Sequence, residues 1–293
     1  MGTLYLVSTP IGNLEDMTLR GLRLLREAHL IAAEDTRHTR RLLTHYQITT
    51  PCIAYHQHNK YHRLPDVLQA LTHGDVALVS DAGTPGLSDP GFELVRACYE
   101  HGFAVSPIPG PSAPIAALVA SGLPTERFCY LGFLPNRSPQ RRAVLTEFGA
   151  FPVTLVCFES PHRLLDALRD ALDVLGDRHV VVARELTKIH EELLTLSISA
   201  AIDHFTEHAP RGEITLVIAP PADDDLADTM LDMETILTTH LEQLMAQGQR
   251  ASDAVRMVAR QHNQPRRAVY ALWLRLQETL LADGLLPEGD QDE

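Results

Sequence analysis

Short apolar runs alternate along the first 220 positions with segments whose apolar residues recur at helical spacing. The run LYLVSTP (4–10) precedes a helical pattern at Leu19, Leu22 and Leu25. LIAAEDT, CIAYH, a helix near Leu64–Leu71 and the run DVALVS follow. A helix around Phe92–Tyr99, the run AVSPIPG and a small-residue helix in SAPIAALVASG complete the first half. Strands alternating with helices predict an α/β layer structure on a largely parallel sheet. Gly122-Leu123-Pro124 interrupts the pattern and is expected to close a first α/β domain over 1–121.

A second set runs through FCYLGFLP, a helix over 139–148, VTLVCFES, a helix over 162–175, HVVVAREL, EELLTLS, a helix over 199–208 and GEITLVIAP. HVVVAREL and EELLTLS are close enough in sequence to require an antiparallel pair, so a mixed sheet is expected over 122–221. The Asp-rich stretch 222–233 reads as an acidic linker. Residues 234–283 read as a small C-terminal helical domain of helix–turn–helix shape, with Pro265 near a helix start. The tail 284–293 is polar and acidic, and disorder is expected there.

Three predicted strand ends carry Gly/Pro-rich turns: VSTPIGN (7–13), SDAGTPGLSDPG (80–91) and PIPGPSA (107–113). Glycine lets a backbone approach a ligand without a Cβ in the way, and proline stiffens the loop before binding. In open α/β sheets ligands bind beyond the carboxyl ends of the strands. The loops therefore suit a polar ligand held by peptide groups and by the hydroxyls of Thr84, Ser88 and Ser112. None matches a phosphate cradle, since GxxxxGK[ST] and GxGxxG are absent. Stiff connecting turns, with Ser112 as a helix N-cap, are the simpler alternative. His56, His58 and His62 lack a neighbouring Cys or carboxylate, so no metal is expected. Ser112 and His162 form no nucleophile elbow.

The net charge of −13 disfavours a nucleic-acid partner, but its distribution changes that. No Lys or Arg falls between Arg211 and Arg250, where the acids cluster. Residues 36–63 and 127–146 contain no acid; they hold Arg37, Arg40, Arg41, Lys60 and Arg63, and Arg127, Arg137, Arg141 and Arg142. Solvated faces and an anion-binding surface both fit. The four cysteines are widely spaced among apolar residues and are expected to be reduced core residues of a cytoplasmic protein. No secretory leader or membrane span is expected.

The motifs STPIGNLEDMT, AEDTR, SDAGTPGLSDPG, PGPSA, SGLP, GFLP, ESPHR, ARELTK and RGE, in this order, resemble those of the tetrapyrrole-methylase-like (class III) AdoMet methyltransferases. Within that superfamily they resemble the branch that modifies small-subunit ribosomal RNA. The resemblance runs from Leu4 to about Leu280 and includes the C-terminal helices. It implies two α/β domains with an S-adenosyl-L-methionine (AdoMet) cleft between them, a homodimer, and methyl transfer to the ribose 2′-hydroxyl of a cytidine in the 16S rRNA decoding centre. It further implies that Pro10, Ile11, Asp81, Ala82, Gly83, Thr84, Pro85, Leu87, Ser112 and Ala113 line the cleft, with Phe158 and Ala183 on the adenosine side. Glu159, Glu185 and Lys188 are the candidates beside the acceptor. Arg37, Arg40, Arg41, Lys60, Arg137, Arg141, Arg142, Arg163, Arg266 and Arg267 are the expected RNA contacts. Methylation of a small tetrapyrrole and a non-enzymatic nucleic-acid regulator are the competing readings.

Overall fold

The computed structural model describes residues 2–247, 249–262 and 264–282, with backbone alone over 223–233 and 278–282. Its first sheet contains β1 (Thr3–Val7), β2 (Leu30–Ala33), β3 (Cys52–Ala54), β4 (Val76–Val79) and β5 (Ala104–Ile108) in the order β3-β2-β4-β1-β5. Every pairing is parallel. All four residues of β4 are buried, and a strand covered on both faces reads as an unbroken apolar run.

On one face, Leu22, Leu24 and Leu25 of α1 (Leu19–Glu27) and Leu43 of α2 (Thr36–His45) pack against Ile31, Ala77 and Val79. On the other, Val67 and Leu71 of α3 (Lys60–His73) and Leu94 and Cys98 of α4 (Phe92–Glu100) cover Leu4, Val76 and Leu78. The sequence pattern does not reveal α2. Its apolar side is narrow, with only Thr39, Leu42 and Leu43 buried, and the rest is Arg, His and Thr. Asp35 caps it by accepting from the Arg37 N–H (2.8 Å).

The second sheet comprises β6 (Phe128–Phe133), β7 (Thr154–Glu159), β8 (His179–Arg184), β9 (Glu192–Ser197) and β10 (Ile214–Ile218), ordered β6-β7-β10-β8-β9. β6 and β7 are parallel; the other pairs, including β8 with β9, are antiparallel. Leu145, Leu164, Leu168 and Phe205, from α6 (Ser138–Gly149), α7 (Leu164–Leu175) and α8 (Ile198–Glu207), cover one face. The opposite face receives Ala117 and Leu118 of α5 (Ala113–Ala120), packed on Val156, Val181, Ala183 and Val217. The helix grouped by sequence with the first half thus belongs to the packing of the second, and residues 1–221 form one compact unit.

The other unit begins at Ala222. The stretch read as an acidic linker is the start of a long helix, α9 (Asp223–Ala246). Carboxylates at a helix N-terminus are favoured by the helix dipole, so an Asp-rich start follows Pro220-Pro221 without penalty. With α10 (Ala251–Gln261) and α11 (Arg266–Ala282) it builds a core of Leu237, Leu241, Val255, Val258, Val269 and Trp273. The tail 284–293 lies outside the described residues.

Two expected RNA contacts are core residues instead. Lys60 is 7% exposed; its ammonium pairs with Glu93 and donates to Gln57 (2.9 Å). Arg141 is 3% exposed, and its guanidinium donates to Asp170 Oδ2 from Nε (2.7 Å) and Nη2 (2.6 Å). Burial raises the Asp170 pKa, but the Ser138 hydroxyl and Arg141 outweigh it and hold the carboxyl below its ordinary range. Removing one partner of a buried pair costs about 3–5 kcal/mol. Arg141→Ala is therefore expected to lower the urea midpoint at pH 7 by a corresponding amount. A carboxyl with a depressed folded pKa stabilises above its unfolded value and loses that contribution as pH falls through the folded one. The deficit of Arg141→Ala should accordingly narrow below about pH 4.

Candidate functional site

Strands β4, β1 and β5 are neighbours, so the three Gly/Pro loops leave one sheet edge side by side. They are also tied together. Thr9 and Gly83 exchange backbone hydrogen bonds in both directions, 2.8 Å from the Thr9 N–H and 3.0 Å from the Gly83 N–H. Thr84 Oγ1 donates to Pro111 O (3.2 Å) and accepts from Ser8 Oγ (3.3 Å). Gly83 adopts φ +77°, a conformation that side chains with a Cβ rarely take.

Facing these loops is one edge of the second sheet. Ile214 pairs with Glu159 and with Arg184, and Thr215 with Phe158 and with Ala183. The carboxyl ends of β7 and β8 and the start of β10 therefore lie level. Between loops and edge is a cavity of about 300 Å³. Ile11, Ala82, Gly83, Thr84, Leu87, Ser112 and Ala113 line it from the loops, and Phe158, Glu159 and Ala183 from the edge. Pro10 and Asp81 instead line an adjoining cavity of about 350 Å³, while Ile11, Ala82 and Glu213 border both. Pro85 is buried and lines neither.

Ser88, whose hydroxyl the sequence offered to a ligand, lines the first cavity, whereas sequence reasoning missed Asp89, Phe133, Leu186 and the stretch 212–215, although GFLP and RGE were visible as motifs. Ser112 stands at the N-cap of α5, but its side chain makes no capping bond. Ser112 itself is part of the cavity lining.

Three carboxyl groups, those of Asp89, Glu159 and Glu213, stand among the hydroxyls of the polar lining. The Glu159 side chain is fully buried; Oε1 accepts from the Ser160 N–H (2.7 Å) and Arg163 Nη2 (2.5 Å), and Oε2 has no hydrogen-bond partner among the described residues. Arg163 is thereby fixed to Glu159 and is not a free RNA contact. Burial, reinforced by Glu34 and Asp81 and opposed by the Ser80 hydroxyl, pushes the Asp89 carboxyl up to about 7. Burial and the charge of Asp81 also raise Glu34.

Glu185 and Lys188 form a clamp. Lys188 Nζ donates to Glu185 Oε1 (2.7 Å) and Glu213 Oε2 (3.0 Å), and the Glu213 N–H donates to Glu185 Oε1 (2.9 Å). Glu185 and Thr187 hold φ of +51° and +65°. The hydrogen bond from Lys188 lowers the Glu185 pKa. Burial opposes charge on Lys188, yet its two carboxylate partners raise its pKa. The pairing thus favours a charged carboxylate and a charged ammonium near neutrality. They fix the loop on which Gly12 rests; a Cβ there would collide with Lys188.

Of the remaining basic candidates, Arg37 pairs with Asp35 (2.8 Å) and Arg142 with Asp173 (2.7 Å). Arg40, Arg41, Arg137, Arg266 and Arg267 are exposed. Among the described residues no His/Cys/Asp/Glu group is arranged to hold a metal, and no helix is long and apolar enough to cross a membrane. The four cysteines are free.

A group whose folded pKa is raised contributes stability below its unfolded pKa and loses it as pH climbs through the folded value. Asp89→Asn is therefore expected to gain stability relative to the native chain between pH 5 and pH 8. Urea midpoints of both proteins at the two pH values measure this.

Residues 3–201 match the family model described as Tetrapyrrole (Corrin/Porphyrin) Methylases. A Synechocystis sp. protein named ribosomal RNA small subunit methyltransferase I is 49% identical over 97% of this chain and 100% of its own. The protein of the same name from Halalkalibacterium halodurans is 45% identical over 93% and 94%. In Thermotoga maritima a shorter one is 48% identical over 75% of this chain and 99% of its own. Among solved structures, a diphthine synthase superimposes with a TM-score of 0.60 at 15% identity, covering 74% of this chain and 90% of that one. A cobalt precorrin-4 methyltransferase gives 0.58 at 17%, covering 74% and 94%. At such identity these two speak for the fold alone.

Proposed function

Because this chain belongs to the tetrapyrrole methylase family, and within it to the ribosomal RNA small subunit methyltransferase I proteins, we propose that it methylates the 16S rRNA of the small ribosomal subunit with AdoMet as donor. The acceptor in this reading is a cytidine ribose 2′-hydroxyl, and the working form is a homodimer. The enzyme is a methyltransferase, and its chemistry is a displacement at carbon.

The observation that carries the donor assignment is the first cavity. Its volume of about 300 Å³ falls at the small end of the range typical for small-molecule sites, roughly 300–1,000 Å³. Phe133 and Phe158, with ring centroids 5.2 Å apart, offer flat apolar surface to a purine. Glu159 Oε2 is a buried acceptor that awaits a hydrogen-bond donor. Asp89, once ionised, places a negative charge on the cavity wall that favours a cation, while the charge of Glu159 is balanced by Arg163. AdoMet supplies an electrophilic methyl group on a cationic sulfur.

The protein's contribution is placement. The loops are braced before any ligand arrives, and their main-chain groups leave little freedom for the reacting carbon. Such pre-orientation is worth about 7–11 kcal/mol in well-aligned reactions. Nothing in the Glu185–Lys188–Glu213 cluster calls for a proton-accepting role, and its strained backbone suits a rigid support for the loop carrying Pro10 and Ile11.

Gly83→Val introduces a left-handed side chain costing about 1–2 kcal/mol and crowds Ile11, so binding of S-adenosylhomocysteine should weaken about tenfold by calorimetry. For the reaction, undermethylated small subunits incubated with protein and AdoMet should gain one methyl group on a 16S fragment, located on ribose by mass mapping. Label entering a porphyrinoid and not the subunit would replace this reading with small-molecule methylation.

A further inference from the structure

The second cavity remains without an occupant in the donor assignment. It holds about 350 Å³ and is bordered by Leu14, by His38 and Arg41 of α2, and by Asp81, Lys188 and Glu213. Ile11 and Ala82 form the partition it shares with the donor cavity. Methyl transfer requires the attacking oxygen on the side of the carbon opposite the sulfur, so the acceptor must occupy a space that abuts the donor.

The charges at this cavity are unequal in availability. Lys188 is neutralised by Glu185 and Glu213. Asp35 engages Arg37, one turn before Arg41 on the same helix. Arg41 is exposed and has no ion pair among the described residues, and His38 lies beside it on the cavity wall. An unengaged guanidinium at the mouth of a nucleoside-sized chamber is suited to a phosphodiester, whose oxygens it meets two at a time. Leu14, half-exposed at 39%, adds an apolar surface within the same chamber.

We propose that the second cavity is the acceptor chamber, admitting one unstacked ribonucleotide whose adjoining phosphate is held by Arg41 and His38. This rests on the reading that the chain methylates ribosomal RNA. A chamber of this size excludes a duplex, so the target nucleotide must leave its stack to enter, as it does in other enzymes that act on nucleotides. Asp81, expected from the sequence to contact the donor, faces this chamber instead. The α2 helix thereby becomes part of the substrate site.

The test uses the full-length chain and undermethylated small subunits. Arg41→Ala should raise KM for subunits about tenfold, and flatten the dependence of log affinity on log salt by about 0.7, the value for one lost single-strand phosphate contact. Arg20→Ala, exposed on α1 and lining neither cavity, should move KM by less than about threefold. Leu14→Trp fills the chamber and should lower kcat/KM for subunits about a hundredfold, a loss of transition-state stabilisation. Unchanged binding of S-adenosylhomocysteine by calorimetry shows that each variant is folded and that its donor cavity is intact. Native KM and salt slope in Arg41→Ala together with native kcat/KM in Leu14→Trp, or equal losses in Arg20→Ala and Arg41→Ala, would overturn the chamber. A native protein that transfers no methyl group to subunits would instead overturn the reaction itself, a separate failure.

Discussion

The pair of hydrogen bonds between Thr9 and Gly83 is the constraint on which the site depends. It joins two loops more than seventy residues apart in sequence, and Thr84 extends the brace to Pro111 in a third. The sheet order makes this possible, because the strands before these loops are contiguous. Flexible loops at the same edge would lose conformational freedom on binding, at about 1–2 kcal/mol for each backbone residue fixed. Here that ordering is completed in folding, supported by the buried strand β4.

The opposite wall obtains its rigidity by different means. There the backbone passes through two left-handed non-glycine residues, Glu185 and Thr187, which cost energy in isolation. Lys188, Glu213 and Glu191 hold the loop in place through hydrogen bonds to its side chains and backbone. The φ of +80° at Gly212 belongs to the same assembly, since a Cβ there would collide with the Glu185 carboxylate. One wall is braced by peptide groups and the other by ions. Both meet near Gly12, which packs against the Thr187–Lys188 segment.

Much of this was legible in the sequence, for identifiable reasons. Strands such as β4 and β10 are buried throughout and announce themselves as apolar runs. The three Gly/Pro loops were recognisable because glycine and proline mark backbone that is both unusual and stiff. What stayed hidden depends on pairing in space. Arg141 and Lys60 look like surface cations until Asp170 and Glu93, far along the chain, are seen to neutralise them. The clamp role of Glu185 and Lys188 required knowing where Glu213 falls. Helix α2 escaped because its buried stripe is short and its basic residues suggested a different use.

These internal pairings bear on how a chain of net charge −13 meets RNA. Several arginines and lysines that look available are committed: Arg37 to Asp35, Arg63 to Asp66, Lys60 to Glu93, Arg141 and Arg142 to Asp170 and Asp173. Around α2, Arg40 and Arg41 are exposed and have no ion pair among the described residues. Non-specific affinity for nucleic acid grows with each phosphate neutralised, so every cation taken by an internal pair shifts weight from charge to recognition by shape. That favours a structured target over free RNA chains. A chamber that accepts a single displaced nucleotide fits the same economy of charge: it needs one or two phosphate contacts at the mouth, and it leaves recognition of the target to how the surrounding RNA presents that nucleotide.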